Sequence, residues 1–122
     1  MVRKILVVDD DRTLAESTAE ILRVHGYDVF LAFDGYQALN TARQIKPNLI
    51  MLDVMMPAGG GIKTYENLKL SIGTSTIPVI FATAVPIEDV IEKIGQIDSK
   101  RFISKPYDID LLVEKIRGLI GA

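Results

Sequence analysis

Apolar residues fall along this chain in two alternating kinds of run. The first kind is a short block, apolar without alternation within residues 4–8, 48–52 and 78–82; residues 27–32 and 101–104, which include Asp28, Arg101 and Ser104, read as two further short strands. A continuous apolar block of this length reads as a strand covered on both faces, as in a parallel sheet. In the second kind, apolar positions recur at helical spacing. After Arg12 the positions Leu14, Thr18, Ile21, Leu22 and His25 share one face, and Gly26 suits the left-handed residue that follows a helix. Asp34 reads as the N-cap of a helix over 35–45, with Ala38, Leu39, Ala42 and Ile45 inward. A weaker helix is predicted over 62–72, carrying Ile62, Tyr65, Leu68 and Ile72. Pro86 suits a first helical position before Ile87, Val90, Ile91 and Ile94. The last helix starts at Asp108, buries Leu112, Val113, Ile116, Leu119 and Ile120, and stops at Gly121. The run Gly59-Gly60-Gly61 reads as a mobile loop. Five strands alternating with five helices require an α/β fold, a parallel sheet with helices on both faces. With no repeat and no linker, residues 1–122 read as one domain.

Composition narrows the function classes more than the fold. The formal net charge of -2, with Lys and Arg scattered, argues against direct nucleic-acid binding by a basic face. Cysteine is absent, which removes disulfides and thiolate metal sites, and His25 alone cannot form a histidine cluster. His25 falls in a last helical turn, where a helix-end role is the expectation. No apolar run approaches the length of a membrane span, and the first residues lead straight into a strand. The expectation is a cytoplasmic protein without membrane contact.

The strand ends carry the chemistry. The third block ends at Asp53, and the proline at 57 lies just beyond it. Taken alone, Asp53 reads equally well as the first residue of a turn. The other strand ends change this: the first delivers Asp9 and Asp10, the fourth Thr83, the fifth Lys105, and the second only Phe33 and Asp34. In open parallel sheets ligands bind outside the carboxyl ends of strands. With the strand order 2-1-3-4-5, a flavodoxin-like arrangement known for such sheets rather than read from these residues, strands one and three are neighbours and the three carboxylates converge. Three clustered carboxylates repel and raise one another's pKa unless cations answer them. Lys105 answers one, and a divalent cation would cancel the remaining two charges. Mg2+ is the natural candidate, because it takes one or two carboxylates, keeps waters and accepts a phosphate oxygen. A carboxylate in such a site can act as a nucleophile on phosphorus.

In Ile5-Leu6-Val7-Val8-Asp9-Asp10-Asp11, Leu52-Asp53-Val54-Met55-Met56-Pro57, Thr83-Ala84 and Phe102-Ile103-Ser104-Lys105-Pro106, the chain resembles the receiver domains of two-component response regulators, over essentially its whole length. The resemblance implies that Asp53 is the phosphoacceptor for a phosphoryl group from a histidine kinase's phosphohistidine or a phosphotransfer protein. It implies Asp10, Asp53 and the Met55 backbone carbonyl as Mg2+ ligands, with Asp9 holding the metal's waters. Thr83 and Lys105 match the family's phosphate-contacting pair. Phe102 stands at the switch aromatic whose ring turns inward when the threonine moves; from the residues alone it reads as a half-buried strand aromatic. The output face implied is that of the fourth helix, fifth strand and last helix. The downstream partner is a separate effector protein or a fused output domain.

Departures from the pattern carry expectations of their own. Gly59-Gly60 replaces the usual Met-Asp before Gly61, which predicts unusual mobility there. Lys100-Arg101 leads into the fifth strand, and Val85-Pro86 stiffens the approach to the fourth helix. Met55 and Val85, at the mouth of the site, are expected to exclude water and lengthen the life of the phosphoform. A haloacid-dehalogenase-type phosphatase would need a second Asp two residues after its nucleophile, where this chain has Met55, so a turnover enzyme is not expected. A flavin-binding protein would need a phosphate cradle where Asp9-Asp10-Asp11 stands. The remaining alternative is a phosphorylation-independent interaction module of the same fold.

Overall fold

Leu49–Asp53 forms a strand in which every residue is buried, and the sheet is built outward from it. The structure is a computed structural model that describes residues 2–56, 60–95 and 98–121. In chain order the elements are β1 (Lys4–Val8), α1 (Arg12–Val24), β2 (Asp28–Ala32), α2 (Gly35–Ile45), β3 (Leu49–Asp53), α3 (Gly60–Leu70), β4 (Val79–Thr83), α4 (Ile87–Ile94), β5 (Phe102–Ser104) and α5 (Ile109–Ile120). A single 3-10 turn, Ser99–Arg101, leads into β5. The strands pair in parallel in the order β2-β1-β3-β4-β5, the arrangement expected.

Both faces of the sheet are covered, and the pleat divides the residues between them. Ile5, Val7, Leu49, Met51, Ile80 and Ile103 join Ala15, Ala19 and Leu22 of α1 and Leu112, Val113 and Ile116 of α5 in one core cluster. Leu6, Val8, Ile50, Leu52, Phe81 and Phe102 join Ala38 and Ala42 of α2, Leu68 of α3 and Val90 of α4 in the other. This is why the strands lack polar alternation: each pleat face meets helices, and burying one Leu or Ile contributes roughly 1.5–3 kcal/mol.

Local signals set the boundaries. Asp11 caps α1 by accepting from the Leu14 N–H at 3.1 Å, and Asp34 caps α2 through the Gln37 N–H at 2.8 Å. Asp108 caps α5, accepting from the N–H groups of Asp110 and Leu111. Gly26 has φ +96°, as its place after α1 requires. His25 keeps to the helix end, its Nδ1 lying 2.9 Å from the Ile21 carbonyl oxygen. Pro86 stands at the N-cap of α4 rather than inside its first turn.

The glycine run and the end of the third helix also differ from the sequence expectation. Gly60 and Gly61 do not belong to a loop; they begin α3. A Cβ on Gly61 would run into the Asp53 carbonyl oxygen, and one on Gly60 would stand 2.8 Å from that of Val54. These glycines serve the close approach of α3 to the end of β3, with Gly60 also at φ +64°. Gly59, and the Pro57 taken to bound the strand, lie outside the described residues. Ile72 is 98% exposed and is no part of the buried face of α3, because the helix ends at Leu70. Gly61, Thr64 and Leu68 form that face.

Candidate functional site

The pleat that sorts the core also sorts the strand ends. Asp53 follows Leu49 and Met51 on the face that looks toward α1 and α5. Asp9 follows Ile5 and Val7, and Lys105 follows Ile103, in the same alternation. Ladder bonds carry this register past the strands: the Asp9 N–H donates to the Ala32 carbonyl and the Lys105 N–H to that of Thr83. The three side chains meet there. Lys105 Nζ lies 2.8 Å from Asp9 Oδ2 and 3.3 Å from Asp53 Oδ1. Asp9 and Asp53 are each 4% exposed, whereas Asp10, one position out of phase with Asp9, is exposed.

Backbone donors hold the two buried carboxylates. Asp9 Oδ1 accepts from the Asp11 N–H at 3.0 Å, and Asp53 Oδ1 from the Met55 N–H at 3.1 Å. Burial and then the Asp9 charge push the Asp53 carboxyl above its ordinary range, against the opposing Met55 and Lys105 contacts. Burial alone would lower the Lys105 ammonium, but its hydrogen bond to Asp9 and the charges of Asp53 and Asp9 prevail and raise it. One lysine thus leaves the carboxylates short of positive charge.

A divalent cation fits that deficit. One carboxylate oxygen from each of Asp9, Asp10 and Asp53 can be chosen so that all lie within 4.8 Å of one another. That spacing would let Mg2+ be held directly by two of these carboxylates and through its waters by the third. An all-oxygen, acidic donor set suits a hard cation. Beside it, Asp10, Val54, Met55, Met56, Gly60, Ile62 and Lys93 line an open cleft of about 600 Å3. Met55, at this mouth, is 61% exposed.

Thr83 and Phe102 belong to the alternate pleat set. Thr83 is buried, and its hydroxyl accepts from the Val85 N–H at 3.0 Å and donates to the Val85 carbonyl at 3.2 Å. Its strand end neighbours that of β3, where Asp53 pairs with Ala82, and its hydrogen bonds are directed to the approach to α4. Phe102 is 5% exposed, more buried than a half-covered strand aromatic, and its ring stacks on Phe81 at 5.4 Å between centroids. Tyr65 of α3 meets the edge of Phe81 at 4.9 Å. The remaining strand-end residues have structural roles: Arg12 lies 4.1 Å over the Phe33 ring and Asp34 caps α2.

The strand ends bring Asp9, Asp10, Asp53 and Lys105 together, but the groups that support them carry little signal in the sequence. The Asp11 cap and the Asp11 N–H held by Asp9 were legible only as a third acid in a row. A further pair, Thr18 and Tyr107, lies 2.6 Å apart between α1 and the segment after β5. Its one sequence signal was a threonine on the inward face of an otherwise apolar helix.

Residues 5–117 match the family described as the response regulator receiver domain. The DNA-binding dual master transcriptional regulator RpaA of Synechocystis sp. is 34% identical over 119 residues, covering 96% of this chain and 48% of that protein. The transcriptional regulatory protein CrdR of Helicobacter pylori is 33% identical over 117 residues, covering 96% and 54%. The chain therefore spans about half the length of these curated relatives. Among solved structures, the Francisella response regulator 1452 receiver domain superposes with a TM-score of 0.82 at 32% identity, covering 97% of this chain and 96% of that one. Chemotaxis response regulator CheY4 of Vibrio cholerae gives a TM-score of 0.87 at 22% identity, covering 98% and 99%, a likeness of fold alone. With its acidic cluster at the sheet's carboxyl edge, the chain belongs to the response regulator receiver domain family of two-component signalling.

Proposed function

We propose that residues 1–122 act as a single phosphoacceptor domain in a two-component phosphorelay, with Asp53 as the acceptor. The observation that carries this reading is a buried strand-end carboxylate that shares one lysine with a second buried carboxylate, with a third carboxylate within reach of a shared cation. The donor is the phosphohistidine of a histidine kinase or of a phosphotransfer protein. An Asp53 carboxylate oxygen attacks phosphorus, a P–O bond forms, and the N–P bond breaks. The imidazole leaves with that electron pair and takes up a proton.

The chain's residues position and neutralise. Lys105, already between Asp9 and Asp53, faces the negative charge that collects on the phosphoryl oxygens. Asp10, Asp53 and the Met55 carbonyl would hold Mg2+, with Asp9 holding its waters. When bound, the cation supplies electrostatic stabilisation of the transferring group. The product exchanges one negative charge for roughly two and adds acceptor oxygens. Thr83 can answer these by giving up its bonds to Val85, which would move the approach to α4. Output on the face of α4, β5 and α5, with Phe102 as its aromatic, follows from that link. The site modifies itself and does not turn over external phosphoesters, because Met55 offers no general acid. The partner read by that face is an effector protein or a fused output domain, and a cytoplasmic location goes with such a donor. The net charge of -2 supports no direct nucleic-acid contact by this chain.

Incubation with Mg2+ and acetyl phosphate, followed by intact-mass spectrometry, tests the reading. One phosphoryl group should add to the wild-type chain and none to Asp53→Ala. An unmodified wild type would favour the phosphorylation-independent interaction module instead.

A further inference from the structure

Lys105 opens the short segment, residues 105–108, that joins β5 to α5. Both ends of this segment are tied down: the Lys105 N–H donates to the Thr83 carbonyl at 2.8 Å, and Asp108 caps α5. Between them Tyr107 packs its ring against the core cluster shared by α1 and α5. Its hydroxyl reaches Thr18 Oγ1 at 2.6 Å. Thr18 is 1% exposed, on the inner face of α1. The direction of the bond follows from the other contact. The Thr18 hydroxyl gives its proton to the Leu14 carbonyl at 2.8 Å, so Tyr107 must be the donor. Burial pushes the Tyr107 phenol up, which keeps that proton in place across the neutral range.

This bond joins two parts of the site that no other side-chain hydrogen bond between α1 and the β5–α5 segment joins among the described residues. The helix α1 starts directly after Asp9, Asp10 and its cap Asp11. The segment that ends in Tyr107 starts with the ammonium that answers Asp9 and Asp53. We infer that Tyr107, through its hydrogen bond to Thr18, is a positioning residue that holds Lys105 in line with the carboxylates for phosphoryl transfer. The inference rests on the phosphoacceptor reading and adds a residue to it. A lysine on a flexible four-carbon stem is only as well placed as its backbone, and phosphoryl transfer depends mainly on placement.

The test compares phosphorylation rates by acetyl phosphate with saturating Mg2+ across a set of variants, alongside their thermal midpoints. Tyr107→Phe keeps the ring and loses the bond; its rate should fall about tenfold, with little change in midpoint. Thr18→Val should match it, Thr18→Ser should restore the wild-type rate, and Tyr107→Phe with Thr18→Val should be no slower than either alone. In a Lys105→Ala background Tyr107→Phe should slow the reaction no further, which a merely structural role would not predict. A wild type that is modified while Tyr107→Phe keeps its rate overturns this inference alone. Additional slowing in the Lys105→Ala background also overturns it. A wild type that is not modified overturns the phosphoacceptor reading, and the inference with it.

Discussion

At Asp53, burial and the neighbouring Asp9 charge resist ionisation, while the Met55 N–H and Lys105 favour it, and the first pair prevails. Because the folded state holds the Asp53 proton more tightly than the unfolded chain, its contribution to stability is fully present below the ordinary value of 3.8. That contribution is lost as pH rises through the raised folded value. Lys105 is raised above 10.5, so its contribution is complete at neutral pH and is lost only as pH climbs through its own raised value. Asp53→Asn keeps an acceptor for the Met55 N–H and removes the burdened charge. Without metal at pH 7 it should unfold on the order of 1 kcal/mol harder than wild type, a few degrees in thermal midpoint. A lower midpoint in chelator would contradict this. The same substitution should blunt the stabilisation that Mg2+ gives the wild-type chain. A second residue-scale prediction concerns Met55, whose exposed side chain stands at the mouth of the site. Replacing it with Glu should speed loss of the phosphoryl group several-fold, by admitting and orienting water. Unchanged dephosphorylation kinetics would remove Met55 from the account.

Among the elements, α3 is the least legible in sequence and the most informative in structure. Its glycines read as looseness in the sequence, but glycine has two uses, backbone freedom and close approach, and one sequence does not separate them. Here the start of α3 lies against the carbonyls of Asp53 and Val54, and the Gly61 N–H donates to Val54 at 3.0 Å. Gly61→Ala should therefore destabilise the fold by about 2 kcal/mol or more, measured by denaturant unfolding, and weaken Mg2+ binding by disturbing β3. A variant as stable as wild type would show that the approach is not a constraint. The far end of α3 departs from the apolar spacing for a related reason. Ile72 continued the apolar spacing, but the chain turns at Ser71, whose hydroxyl donates to the Asn67 carbonyl, and Thr74 donates to that of Leu68. Side-chain bonds of this kind compete with helix continuation, and spacing does not register them. Strand limits shifted by a residue or so, as at β3, because a ladder ends where its partners end.

For the whole molecule, the chain's most reliable message was the alternation of blocks and helical stretches, which forces a covered parallel sheet. The strand-end acids were legible for the same reason, since a parallel sheet brings all its carboxyl ends to one edge. Pleat parity then explains a split that the list of strand ends concealed: Asp9, Asp53 and Lys105 share one alternation, while Thr83 and Phe102 share the other. The first set meets directly, and the second couples to the approach to α4 and to the aromatic stack with Phe81. Sequence did not reveal the present partner of the Thr83 hydroxyl, because that bond depends on a backbone turn and not on residue type. The proposed mechanism turns on Asp53 as the nucleophile. Its most direct test is reductive capture: treat the chain with acetyl phosphate and Mg2+, reduce with borohydride, and sequence the peptides by mass spectrometry. An acyl phosphate at Asp53 predicts homoserine at position 53 and aspartate unchanged at positions 9 and 10. Homoserine at either of those positions, or at none, would contradict the account.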